Sequence, residues 1–97
     1  MENKEVKIHL APSAERDLEN LAPDLALQLV KDIKKYLQNR PFRFSKSRLK
    51  KLTAFSPPLF RLRSGDYRAY FRITKEIVVI LAITYKKDSE KIFKLFR

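Results

Sequence analysis

The chain of 97 residues contains one glycine, Gly65, and it separates two runs in which side-chain character alternates. Before it, Phe60 and Leu62 fall on one side and Leu59, Arg61 and Arg63 on the other. After it, Tyr67, Ala69, Phe71 and Ile73 oppose Arg68, Tyr70 and Arg72. A period of two is that of a β-strand. The linking Ser64-Gly65-Asp66 supplies the residue that takes a positive φ most cheaply, so the segment reads as a hairpin. Pairing across that turn puts Arg61, Arg63, Arg68, Tyr70 and Arg72 on the sheet face opposite Phe60, Leu62, Tyr67, Phe71 and Ile73. The chain must therefore build an antiparallel sheet here and cover its apolar face.

The remaining elements supply that cover. Glu5 to Leu10 alternates as a half-buried strand, with Val6, Ile8 and Leu10 on one side. Ala11-Pro12-Ser13 stops it. Ser13 is expected to cap a short helix bearing Glu15 and Asp17 near its positive end and Leu18 and Leu21 inside. Pro23 cannot sit within that helix but suits the first turn of a second one. There Leu25, Ala26, Leu29, Val30, Ile33, Tyr36 and Leu37 recur at steps of three and four. Arg40-Pro41 ends it. From Arg40 to Lys51 no period fits, and the stretch reads as a basic loop, with Leu49 and Leu52 tucking its far end onto the fold and Phe42 and Phe44 as anchors or stacking groups. Pro57-Pro58 leads into the hairpin.

After the Thr74-Lys75-Glu76 turn, the unbroken Ile77 to Ile83 run reads as a central strand covered on both faces. Asp88 or Ser89 then opens a short helix through Ile92, Phe93 and Phe96. The expected architecture is one α+β domain over residues 1–97: an N-terminal strand, an antiparallel helical hairpin packed on a four-stranded, mainly antiparallel sheet, and a short C-terminal helix.

Charge is unevenly placed on this frame. The net charge is +11; residues 1–39 carry six bases and seven acids, so residues 40–97, with sixteen bases against Asp66, Glu76, Asp88 and Glu90, hold a net +12. One strongly positive region points to a polyanion partner. A membrane partner is not expected, because the basic half lacks a polybasic helix with an apolar reverse face. The longest apolar run, Ile77 to Ile83, is far below the ~20 residues that span a bilayer. With no cysteine and no apolar leader at the N-terminus, a soluble cytoplasmic protein is expected.

The arginine face is the chief chemical feature. Guanidinium forks suit bidentate phosphate contact, and Tyr70 and Tyr85 offer flat rings for a base. Lys46, Arg48, Lys50 and Lys51 of the basic stretch add further phosphate contacts. A plainer reading is a hairpin edge decorated with solvated arginines that discourage aggregation. His9 is the one histidine, the basic half has only four carboxylates, and no metal site, phosphate loop or cofactor is expected. RNA cleavage needs a base for the 2′-hydroxyl, a stabiliser for phosphorane charge and an acid for the leaving 5′-oxygen. Arginines suit the second task. For the first, a lysine or tyrosine among neighbouring positive charges could act as the base, and Tyr85, Lys86 and Lys87 are the nearest groups.

The stretch Leu59 to Ile73, above all Gly65-Asp66-Tyr67-Arg68, resembles the central motif of the RelE/ParE toxin superfamily. Ala11 to Leu18 is similar to that family's first-helix opening, and Ile77 to Phe93 to its last strand and tail. The resemblance implies a toxin of a type II toxin–antitoxin pair. RelE-branch members cut messenger RNA in the ribosomal A site without metal. By the same resemblance Arg68 stands at the transition-state phosphate, Arg61 at a basic position used for phosphate contact or proton transfer, and Lys87 where a second active-site arginine is found. Phe93 occupies the position of a tail tyrosine that stacks on the base or moves a proton, and Leu59 that of a lysine. Phenylalanine stacks but exchanges no proton.

Three readings follow. The chain is a RelE-like endoribonuclease, with Tyr85, Lys86 or Lys50 replacing the missing acid/base groups; or a ParE-like poison of DNA gyrase; or a basic module that binds only antitoxin or nucleic acid. All imply an acidic or amphipathic antitoxin segment wrapping the chain. Ribosome and mRNA are the partners of the first reading, and operator DNA is reached only through the antitoxin complex.

Overall fold

A computed structural model describes residues 4–40, 42–45 and 47–96. Strands β1 (Lys4–Glu5) and β2 (Lys7–Leu10) lead into helices α1 (Pro12–Glu19) and α2 (Pro23–Leu37). Strands β3 (Asn39–Arg40), β4 (Leu49–Leu52), β5 (Leu59–Ser64), β6 (Tyr67–Thr74) and β7 (Ile77–Tyr85) follow, then a 3-10 turn at Lys86–Asp88 and helix α3 (Lys91–Phe96). The main sheet has the order β2-β7-β6-β5-β4, and β1 pairs with β3 beside it. β2 runs parallel to β7, while the other neighbours in the main sheet are antiparallel.

This is the expected α+β architecture with one strand more in the main sheet, and the single strand expected over Glu5 to Leu10 is broken at Val6 so that β1 pairs with β3 instead. Leu49–Leu52 pairs with β5 as a fifth strand where a loop was expected. Its two central residues are both lysines, so no apolar alternation announces it; the pairing partner supplies the order.

The hairpin forms as the alternation demands, with Arg63 opposite Arg68 and Ser64 opposite Tyr67. Gly65 sits at the first linking position with φ +57°, as a II′-type turn requires. Nothing lies within 4 Å of where its Cβ would be, so the demand for glycine is conformational and not steric.

Leu29, Ile33 and Leu37 of α2 and Ala14 of α1 pack with Leu62, Ala69, Phe71, Val78, Ile80 and Ile83 in the larger core. Ser13 does not cap α1. The helix starts two residues earlier, with Ala11 as N-cap and Pro12 in the first turn, and the Ser13 hydroxyl donates to the Leu81 carbonyl. Asp17 accepts from the Ile83 amide at 2.8 Å. Leu81 is the extra residue where the β6–β7 register shifts. The β2 pairing ends at Leu10 with Ile80, so these two α1 side chains serve the stretch of β7 that β2 no longer reaches.

On the opposite face a second cluster gathers Phe55, Leu59, Tyr70, Ala82 and Ile92, with Leu52, Leu81 and Phe96 against it. The Ile77 to Ile83 run is thus covered on both sides, as expected. Among the described residues no helix is long and apolar enough to cross a membrane.

Candidate nucleic-acid interface

The strand register arranges the face opposite the helical hairpin in rows. Lys50 pairs with Arg61, Arg61 with Tyr70, and Tyr70 with Ala82. One step along, Arg63 pairs with Arg68, and Arg68 with Thr84. Arg72 lies one step the other way, opposite Val79. The cations thus flank a patch of Leu59, Tyr70 and Ala82 that Phe55 and α3 cover.

Arg68 is held at two points. Its Nη1 donates to the carbonyls of Gly65 and Tyr67, each at 3.0 Å, which ties the guanidinium to the hairpin turn. Partial burial first, then repulsion from Arg63 and Arg61, hold its pKa below the usual arginine value; the Tyr70 phenol and Asp66 carboxylate act the other way. Arg72 is absent from that set of neighbours. Arg61, Arg63 and Arg68 lie together, with Lys50 beside Arg61. Arg72 Nε and Thr84 Oγ1 are buried without a hydrogen-bond partner among the described residues, polar groups that a ligand on this face could satisfy.

The other sequence-selected residues are distributed more widely. Tyr85 lies one residue past Thr84, so its ring leaves from the helix side of the sheet and meets Tyr67 edge-on at 5.5 Å. It does not share the arginine face. Lys51 pairs with Phe60 and also faces the helix side. Tyr70 shares the arginine face but is only 2% exposed, so its ring packs in the second core and presents no stacking surface. Arg48 lies over the Tyr36 ring, 4.9 Å from its centroid, and donates from Nη1 to the Arg63 carbonyl at 3.0 Å. It braces the site's backbone. Lys86 bridges to Asp66 at 3.2 Å, and its amide donates to the Asp66 carbonyl. Lys87 is exposed in the adjoining turn. Phe93 is 46% exposed, with one side against Phe55 at 5.2 Å. Lys46 lies outside the described residues.

Two contributors escaped the sequence reading. Asp32 accepts a hydrogen bond from the buried Ser64 hydroxyl at 2.6 Å, and Tyr36 carries Arg48. Both lie on α2, where Asp32 and Tyr36 are one helical turn apart; that spacing was the available signal.

A sheet backed by a helical hairpin, with arginines on its other face around a Gly-Asp turn, defines the class of small toxins to which the sequence comparisons also lead. The model of the ParE toxin of the type II toxin–antitoxin system parDE matches residues 8–90, and the chain belongs to the RelE/ParE toxin superfamily. It is a type II toxin–antitoxin toxin. No curated protein matches at the level of sequence.

Among solved structures, the toxin–antitoxin complex RelBE2 from Mycobacterium tuberculosis aligns with TM-score 0.67 and 27% identity over 87% of this chain and 97% of that one. The archaeal RelE–RelB complex from Pyrococcus horikoshii aligns with TM-score 0.65 and 20% identity over 86% and 97%. The RelB–RelE complex from Methanococcus jannaschii aligns with TM-score 0.64 and 15% identity over 88% and 98%. The last two establish likeness of fold.

Proposed function

We propose that the chain is an endoribonuclease toxin that cuts messenger RNA on the ribosome by metal-independent attack of a 2′-hydroxyl on the adjacent phosphate. The observation that carries this reading is the convergence of Arg61, Arg63 and Arg68, with Arg68 tied to the turn carbonyls. Cations that repel one another in the free protein are relieved when phosphate charge arrives. They are relieved most when charge accumulates in the phosphorane, so they favour the transition state over the bound substrate.

In the reaction the 2′-oxygen bonds to phosphorus while the bond to the 5′-oxygen breaks, leaving a 2′,3′-cyclic phosphate and a free 5′-hydroxyl. One proton leaves the 2′-hydroxyl and one reaches the 5′-oxygen. Arg68 is assigned to the phosphorane and Arg61 to the neighbouring phosphate. Lys50, beside Arg61, and the exposed Lys87 are the basic groups assigned to proton transfer. The free side of the Phe93 ring is assigned to base stacking, and Arg63 and Arg72 to flanking phosphates.

An antitoxin with an acidic or amphipathic segment is the expected partner. The likeness to three toxin–antitoxin complexes supports it, as does the charge of the basic half. Operator DNA is engaged through that complex, and the protein acts in the cytoplasm, where ribosomes are.

A second reading, a gyrase poison, draws on the matched ParE model. It also draws on the missing proton-transfer phenol, since Phe93 has none and Tyr85 faces the helix side. Mapping mRNA 5′ ends in a translation reaction, beside a gyrase supercoiling assay, separates the two. Codon-spaced cuts that vanish in Arg68→Ala support the ribonuclease. Inhibited supercoiling with intact mRNA supports the poison and removes the first reading.

A further inference from the structure

The end of the hairpin that bears Arg63 and Arg68 is held from the far side of the sheet. Ser64 lies between Arg63 and Gly65, and because strand neighbours alternate, its side chain points to the helix side. It is 3% exposed, and its hydroxyl donates to Asp32 Oδ2 at 2.6 Å, the short distance of a bond to a charged acceptor. Gln28, one turn earlier on α2, donates to Asp32 Oδ1 at 3.2 Å. One turn later, Tyr36 underlies Arg48, which donates to the Arg63 carbonyl and accepts from the Arg63 amide through its own carbonyl at 2.8 Å. Gln28, Asp32 and Tyr36 recur every four residues, on one face of α2. On the other side of the sheet, Arg68 hangs from the carbonyl of Gly65, the residue next to Ser64.

We propose that Asp32, acting through Ser64, is a positioning residue that sets where the Arg68 guanidinium stands on the opposite face. The inference rests on the reading of the arginine cluster as the working site. The physical reason is the position of the tie. A two-residue turn closed by glycine has few constraints of its own, and like charges at Arg63 and Arg68 push the strand ends apart. A short bond to a carboxylate on a packed helix fixes the turn's inner strand residue, and with it the carbonyl that holds Arg68. A misplacement of about 1 Å at a catalytic cation costs on the order of 100-fold in rate.

The test uses the full-length chain with 15N-labelled arginine and compares Ser64→Ala, Asp32→Ala, their double variant and Asp32→Asn, which keeps an oxygen for the Ser64 hydroxyl. The first readout is the Arg68 Nε–Hε resonance, assigned by its loss in Arg68→Ala. It is expected to move in Ser64→Ala and Asp32→Ala, to move no further in the double variant, and to stay near its original position in Asp32→Asn. The second readout is mRNA cutting in a translation reaction, where kcat is expected to fall about 10- to 100-fold with KM changed less than about threefold.

A tie that serves packing alone would lower the melting temperature yet leave the Arg68 resonance in place in the folded variants, and that result overturns the proposal. If Asp32→Ala does not fold, Ser64→Ala, which removes a single oxygen, decides the point. A wild-type chain that cuts no mRNA removes the ribonuclease reading, while the Arg68 resonance still decides whether Asp32 positions it.

Discussion

The two faces of the main sheet come from the same strands and are put to opposite uses. On one, Leu62, Ala69, Phe71, Val78 and Ile80 close against α1 and α2 in a continuous core. On the other, a small cluster around Leu59, Tyr70 and Ala82 sits under α3, and the space beside it is given to arginines. Cohesion is concentrated behind the sheet, so the front can carry charges that repel one another. Because side chains alternate, neighbouring residues of one strand serve the two purposes, and Ser64 beside Arg63 is the sharpest instance.

That contrast ranks the expected effects of substitution. Phe71→Ala removes a ring that is fully buried in the larger core and is expected to cost about 3–5 kcal/mol, leaving little folded protein in a urea titration. Ile92→Ala, in the smaller cluster, should cost about 2 kcal/mol, and its hydrogen exchange should speed up chiefly in α3 and around Tyr70. Equal loss of protection across both faces would erase the distinction between the cores.

Arg63→Ala has the opposite sign. Arg63 stands directly across from Arg68 and contributes to its lowered pKa. Removing a like-charge cross-strand pair should raise stability by about 0.2–1 kcal/mol while weakening RNA binding. The sign of the pH effect follows from the same shift. A guanidinium whose folded pKa is only lowered from the usual arginine value is charged in both folded and unfolded chains at neutral pH. The cost of charging it in the fold is therefore fully present there and is lifted only as pH rises through the folded value. Stability between about pH 6 and 9 should not vary through Arg68, whereas added phosphate should raise the melting temperature.

The smallest effect lies in the other hairpin turn. Lys75 has φ 54°, and Lys75→Gly should stabilise by up to about 1 kcal/mol without altering activity, as thermal melts and the cleavage assay would show.

The arginine face was legible because strand alternation and a single glycine leave one register for the hairpin, and the register assigns Arg61, Arg63, Arg68 and Arg72 to one side. What was not legible depended on partners far along the chain. Tyr70 looks like a stacking group until α3, more than twenty residues later in sequence, is seen to cover it. β4 has no pattern of its own because Lys50 and Lys51 occupy both faces. Ser13 has the right chemistry for a cap, but Pro12 starts the helix before it and the Leu81 carbonyl takes its hydroxyl. Asp32 shows in sequence only its one-turn spacing from Tyr36, because its partner Ser64 is 32 residues away.

The role proposed for Arg68, held by the turn and crowded by Arg61 and Arg63, is to stabilise the phosphorane during mRNA cleavage. Its most direct test is the single-turnover rate of cutting of a ribosome-bound message by the wild-type chain and by Arg68→Ala at saturating enzyme. A loss of about 100-fold or more is expected, with messages still bound. A rate for Arg68→Ala within about threefold of wild type would contradict it.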